Sequence, residues 1–108
     1  MKIPKTLLDE EGYPTEEYLQ FIRDYTNETM PIMDFVEILQ DGWHFSDWGF
    51  KLHRKYAGKR KLELHTGGWS GNEEIISAIV NNVYLTSFKM KYKKWHTGGH
   101  YYFEITIK

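Results

Sequence analysis

Lys59-Arg60-Lys61-Leu62-Glu63-Leu64-His65-Thr66-Gly67-Gly68-Trp69-Ser70-Gly71-Asn72-Glu73-Glu74-Ile75-Ile76-Ser77-Ala78-Ile79-Val80 changes its period halfway along, and that change decides the fold. Up to His65 the side chains alternate, Leu62 and Leu64 against Lys61, Glu63 and His65, which is the mark of a half-buried strand. Beyond the glycine pair, Ile75, Ile76, Ile79 and Val80 recur at helical spacing, predicting a helix over about 71–81 that Asn81-Asn82 can end. Ser70 and Glu73 have the spacing of a capping box at its start. A strand therefore runs through a glycine turn into a helix.

The pattern extends in both directions. Upstream, Phe50, Leu52 and Tyr56 alternate with Lys51, His53 and Lys55, and Ala57-Gly58-Lys59 turns the chain back, which reads as a β-hairpin. Downstream, Phe88, Met90 and Tyr92 alternate with Lys89, Lys91 and Lys93. A last run sets Tyr101, Phe103, Ile105 and Ile107 against His100, Tyr102, Glu104 and Thr106. These two runs form a second hairpin whose loop is His96-Thr97-Gly98-Gly99.

Residues 1–48 are helical instead. Pro14-Thr15-Glu16-Glu17 offers a cap followed by carboxylates suited to a helix N-terminus. Tyr18, Phe21, Ile22 and Tyr25 mark the buried face. A second helix is expected to begin at Pro31, with the stripe Ile32, Phe35, Val36 and Leu39 and a stop at Gly42. The order α-α-β-β-α-β-β predicts an α+β fold, with a four-stranded, mainly antiparallel sheet covered by helices on one face. The other face would carry Lys51, His53, Lys55, Lys61, Glu63, His65, Lys89, Lys91, Lys93, His100, Tyr102 and Glu104.

At 108 residues the chain is expected to be a single domain. It has no run of apolar residues long enough for a membrane span, and its first residues lack the apolar stretch of a signal peptide. No cysteine is present, which excludes disulfides and thiolate metal sites. The net charge of −1 conceals a division. Residues 1–48 hold 3 basic side chains against 11 acidic, a balance of −8, while residues 49–108 hold 11 basic against 4 acidic, a balance of +7. The acidic helices either neutralise the basic sheet beneath them or present a field of their own to a partner.

The tetrapeptide His-Thr-Gly-Gly occurs twice, at His65-Thr66-Gly67-Gly68 and at His96-Thr97-Gly98-Gly99. The flanks of the copies do not align, so the repeat marks a local way of leaving a strand rather than a duplication. A phosphate at the helix N-terminus after Gly68 is disfavoured, because Glu73 and Glu74 already complement the dipole there and no P-loop lysine follows. His65, His96 and His100 are of a type that suits zinc, but no carboxylate–histidine motif accompanies them, and no metal, cofactor or catalytic residue is assigned. Candidate binding residues are His65, Thr66, Gly67, Gly68, Trp69, Trp95, His96, Gly98, Gly99, His100 and Tyr102. Lys89, Lys91 and Lys93 could meet a nucleic-acid backbone, with Tyr102 and Trp95 available for stacking; lysines also protect an edge strand. The aromatic load, 4 Trp, 8 Tyr and 6 Phe, exceeds what a small core usually needs and points to an interface.

The stretch Gly67-Gly68-Trp69-Ser70-Gly71-Asn72-Glu73, with the later Gly98-Gly99-His100-Tyr101, resembles a group of short proteins of tailed bacteriophages and prophages. The resemblance covers about the last half of the chain and carries no activity, cofactor or catalytic residue. It implies a protein made in the cytoplasm of a bacterial host. The expectation is then a non-enzymatic binding protein acting on a host protein, for example an inhibitor of a defence or nucleic-acid enzyme such as a CRISPR nuclease. The alternatives are a small ligand- or metal-binding domain or enzyme built on the paired turns, and nucleic-acid binding through the lysine face.

Overall fold

Thr15 starts the first helix and ties down what precedes it. Its Oγ1 accepts from the Tyr18 N–H at 3.1 Å while its hydroxyl donates to the Thr6 carbonyl at 2.7 Å, so one side chain caps α1 (Glu16–Asp24) and holds the N-terminal segment. Glu16 and Glu17 in the first turn and Arg23 in the last complement the helix dipole. Pro31 precedes α2 (Ile32–Asp41) at the capping position, one residue earlier than a first-turn proline. Gly42 ends α2, as its position in the sequence implies, and it has a second task. A Cβ there would lie 2.5 Å from the Tyr18 ring and hydroxyl, so the glycine makes the seat for that buried tyrosine. The computed structural model describes residues 3–96 and 99–107, with the backbone alone for residues 94–96.

A short helix that the sequence pattern did not announce, α3 (Ser46–Gly49), leads into β1 (Phe50–Leu52). β2 (Lys59–His65), α4 (Ser70–Val80), a π-helical turn over Leu85–Lys89, β3 (Met90–His96) and β4 (His100–Thr106) complete the chain. The sheet is four-stranded and antiparallel throughout, in the order β1-β2-β4-β3. The fold is α+β, as the change of period implies. Both hairpins are present, and β2 and β4 are central because the α4 connection carries the chain past β4's place before β3 begins.

Four local expectations need correction. β1 stops at Leu52, because Arg54, Lys55 and the exposed Tyr56 bury nothing that would hold them to the sheet. Ala57 and Gly58 both take positive φ, 51° and 76°, and form a two-residue turn closed by reciprocal Tyr56–Lys59 backbone bonds of 2.8 and 2.9 Å. Phe88 and Lys89 belong to the π-helical turn rather than to β3, and Phe88 is 66% exposed. Val80 is exposed, whereas Ile75, Ile76 and Ile79 are buried as their spacing implies. Finally, Trp69 rather than Ser70 is the capping residue of α4, and no side chain caps it. Glu73 is engaged elsewhere.

Leu62, Leu64, Met90, Phe103 and Ile105 form the buried sheet face, and α1 and α4 lie together over it. Tyr25 stacks on Phe35 at 4.2 Å between ring centroids and joins α1 to α2. Asn82 locks the end of this layer. Its Nδ2 donates to the carbonyls of Ile22 at 2.8 Å and Tyr25 at 3.0 Å, and its Oδ1 accepts from the Leu85 N–H at 3.0 Å. Three bonds in a buried site mean that truncation leaves several backbone groups without partners. Asn82→Ala should therefore lower the unfolding free energy by about 2–4 kcal/mol in a denaturant titration. Tyr18→Phe supplies the contrast. The Tyr18 hydroxyl is buried with no hydrogen-bond partner among the described residues. Its removal should cost less than about 0.5 kcal/mol or stabilise the chain, since an unpaired buried hydroxyl is itself unfavourable.

Candidate functional site

The two glycine turns meet. His65 on β2 and His100 on β4 are direct cross-strand partners, and the Thr66 N–H donates to the Gly99 carbonyl at 2.9 Å, extending the ladder one residue beyond the named strands. Thr66 is fully buried. Its hydroxyl donates to Glu73 Oε2 at 2.5 Å, and the Tyr101 hydroxyl donates to Glu73 Oε1 at 3.0 Å. Glu73 thus receives two hydroxyls while standing in the first turn of α4, where the dipole favours its charge. Burial raises the Tyr101 phenol above its ordinary range, and the bond to Glu73 raises it further. Gly99 has φ 84°, and a Cβ on it would overlap the Thr66 hydroxyl and come within 3.0 Å of Glu73 Oε2. The second copy needs its glycine because the first copy's threonine lies against it.

Gly67 faces the other way. It has φ 63°, and a Cβ on it would lie 2.6 Å from the Trp48 ring. Gly68 has φ 77° with nothing near a Cβ, so its requirement is conformational alone. Trp69 is enclosed between Tyr13 and His44, each ring centroid 4.6 Å from its own, with interplanar angles of 29° and 24°. This indole clamps the N-terminal segment onto the start of α4. Asn72, buried behind it, receives the His44 N–H at 3.1 Å and donates to the His44 carbonyl at 2.8 Å. Neither the His44–Trp69 stack nor this amide pair is marked by any local motif; their sequence separation hides them.

The sheet face away from the helices carries a chain of titratable groups. Glu63 Oε2 is hydrogen-bonded to His53 Nε2, Glu63 Oε1 lies 3.3 Å from His65 Nε2, and His65 Nδ1 lies 2.7 Å from His100 Nδ1. Burial alone would push the Glu63 carboxyl up, but its bonds to His53 and His65 outweigh this and hold it below the ordinary range. The Tyr102 ring stands edge-on to His65 at 6.1 Å. Beside it a shallow groove of about 460 Å³ is lined by Lys61, Glu63, Lys93, Tyr102 and Glu104. Glu104 also pairs with Lys59 at 3.5 Å.

The structure thus brings together His65, Thr66, Gly99, His100 and Tyr102, with Gly67 and Gly68 beside them. Trp95 is the register partner of Tyr101 and His96 that of His100. Gly98 lies outside the described residues. The row of lysines is broken at both ends: Lys89 sits in the π-helical turn beside Tyr25, Met33 and Ile107, and Lys93 falls in the register shift between Tyr92 and Lys94. Lys91 keeps its place in the strand ladder, opposite Glu104. Among the described residues no group of three histidine, aspartate or glutamate side chains is placed to hold a metal ion, and no helix is long and apolar enough to cross a membrane. No family model, curated protein or solved structure matches the chain.

Two measurements test this geometry. Thr66→Val keeps the shape of a buried side chain and removes the hydroxyl from Glu73, so unfolding by denaturant should show a loss of about 1–3 kcal/mol. Because the Glu63 carboxyl is held below its ordinary value of 4.5, its stabilisation is complete above that value and lost as pH falls through the depressed one. Wild type should therefore melt above Glu63→Gln at pH 6, and the gap should narrow and close as pH falls below the ordinary carboxyl value of 4.5 and through the depressed one. A gap that persists in acid would refute the assignment.

Proposed function

We propose that the protein is a non-enzymatic binding protein of phage type that acts on a host protein, as an inhibitor of a defence or nucleic-acid enzyme such as a CRISPR nuclease. The observation that supports this reading is the aromatic pair beside the first glycine turn. Phe45 and Trp48 stack at 5.5 Å and 21°, yet remain 43% and 46% exposed. Phe45 has φ 65°, a left-handed conformation that costs a bulky side chain on the order of 1–2 kcal/mol. The chain accepts that cost and presents two large rings to solvent, the residue type that anchors protein interfaces.

The charge around the pair suggests the nature of the partner. Asp41 and Asp47 are exposed on either side of Phe45 in the sequence, and the helical half carries the negative balance of −8. An apolar pocket rimmed by basic side chains, such as a nucleic-acid-handling enzyme offers, would suit both features. A second reading, nucleic-acid contact through Lys91 and Lys93, draws on the groove beside Tyr102. It ranks lower because Glu63 and Glu104 line the same groove and repel phosphate.

Affinity purification from host lysate tests the leading reading, with Val83→Ala as a control at an exposed position far along the chain. Wild type and the control should retain one stoichiometric partner, added wild type should suppress that partner's activity, and Phe45→Ala/Trp48→Ala should reduce recovery at least tenfold. Recovery of no stoichiometric partner, or equal recovery with the double variant, would sink the proposal.

A further inference from the structure

The His65–His100 contact has a geometry that a structural hydrogen bond alone does not require. Two imidazole nitrogens 2.7 Å apart can share one hydrogen only, so one Nδ1 donates and the other presents a lone pair. Glu63 decides which. Its carboxylate lies 3.3 Å from His65 Nε2 and places the hydrogen there, which in the neutral ring leaves His65 Nδ1 as the acceptor. That tautomer, with a carboxylate behind the ring and the free nitrogen aimed at a second imidazole, is the arrangement found behind metal-ligating histidines. Glu63 is itself fixed from its other oxygen by His53. The His65 side chain is 14% exposed, so its orientation is restricted by its surroundings.

We propose that His65 and His100 are ligands of a divalent transition-metal site of the zinc class on the open face of the sheet, with Glu63 as the residue that positions His65. Imidazole nitrogens at about 2.0–2.1 Å from a tetrahedral zinc lie roughly 3.3 Å apart, so the rings must separate by only about 0.6 Å, within reach of side-chain rotation. Binding displaces the shared hydrogen from between the rings to His100 Nε2, so two neutral imidazoles take up the metal with no net loss of a proton. His96 is the register partner of His100 on β3, so the histidines occupy one row across three neighbouring strands. The site shares no residue with the Phe45–Trp48 pair, and failure of either proposal leaves the other standing.

Titration of the tag-free protein with zinc chloride, followed by calorimetry and elemental analysis after dialysis, tests the site. One zinc per chain should bind, with a rise in melting temperature. His65→Ala and His100→Ala should each weaken binding at least tenfold, and Glu63→Gln by about 10–100-fold. His44→Ala should leave the affinity unchanged. Should the alanine variants unfold, a nitrogen-detected imidazole spectrum of wild type keeps the question open to refutation, since zinc must move the Nδ1 resonances of two histidines. Absence of saturable binding, wild-type affinity in His100→Ala, or unmoved Nδ1 resonances would overturn the proposal and leave the pair as a shared-proton contact.

Discussion

The carboxylate of Glu73 is the point on which the two halves of the sheet and the crossing helix depend. It accepts from Thr66 at the end of β2 and from Tyr101 on β4, and it belongs to the first turn of α4. Strand end, neighbouring strand and helix start are thereby joined at one charged group in a half-buried place. Hydrogen bonds to an ionised acceptor are stronger than neutral ones, and leaving such a group partly unpaired is costly. The close approach of the two turns follows, since Gly99 must lie against Thr66 for the ladder to continue past His65. The histidine pair is then set by register, because His65 and His100 occupy the rung before this junction.

The helices and strands were legible in the sequence because each buries one face, and burial imposes its period on the residues. Tyr18, Phe21 and Ile22, or Phe103 and Ile105, could be assigned from spacing alone and are buried in the structure. The common face of His65 and His100 followed from the same alternation. What escaped was decided by partners distant along the chain. Ser70 and Glu73 match a capping box in spacing, but the Glu73 carboxylate is drawn to Thr66 and Tyr101, and no local pattern records that competition. Phe88 continued the alternation of β3, yet the Asn82 amide bonds the Leu85 N–H and starts a wider helical turn there. Trp69 reads as an interface residue, and no local pattern records that its partly exposed ring stacks between Tyr13 and His44, which stand 56 and 25 positions away by sequence number.

The surplus of aromatic residues divides by environment. Tyr18, Phe21, Tyr25, Phe35, Trp43, Phe50 and Phe103 are core, and Trp69 with Tyr13 forms a satellite cluster over the N-terminal segment. Phe45 and Trp48 satisfy neither requirement. They are adjacent, stacked and half open to solvent, at the junction between the acidic helical part and the basic sheet part. The open sheet face is by contrast a polar surface, where Glu63 and Glu104 are interleaved with lysines and histidines. The exposed aromatic pair and the polar histidine face thus occupy separate regions of the protein.

The unpaired edges of the sheet bear on how the protein behaves in a crowded solution. One edge strand, β1, is three residues long, and the other, β3, carries Lys91 and Lys93 and is interrupted after Tyr92. Short, charged and irregular edges are poor templates for a further strand. Copies meeting at high concentration therefore have little opportunity to grow sheet upon sheet into filaments. The same irregularity that breaks the row of cations favours a chain that accumulates without aggregating.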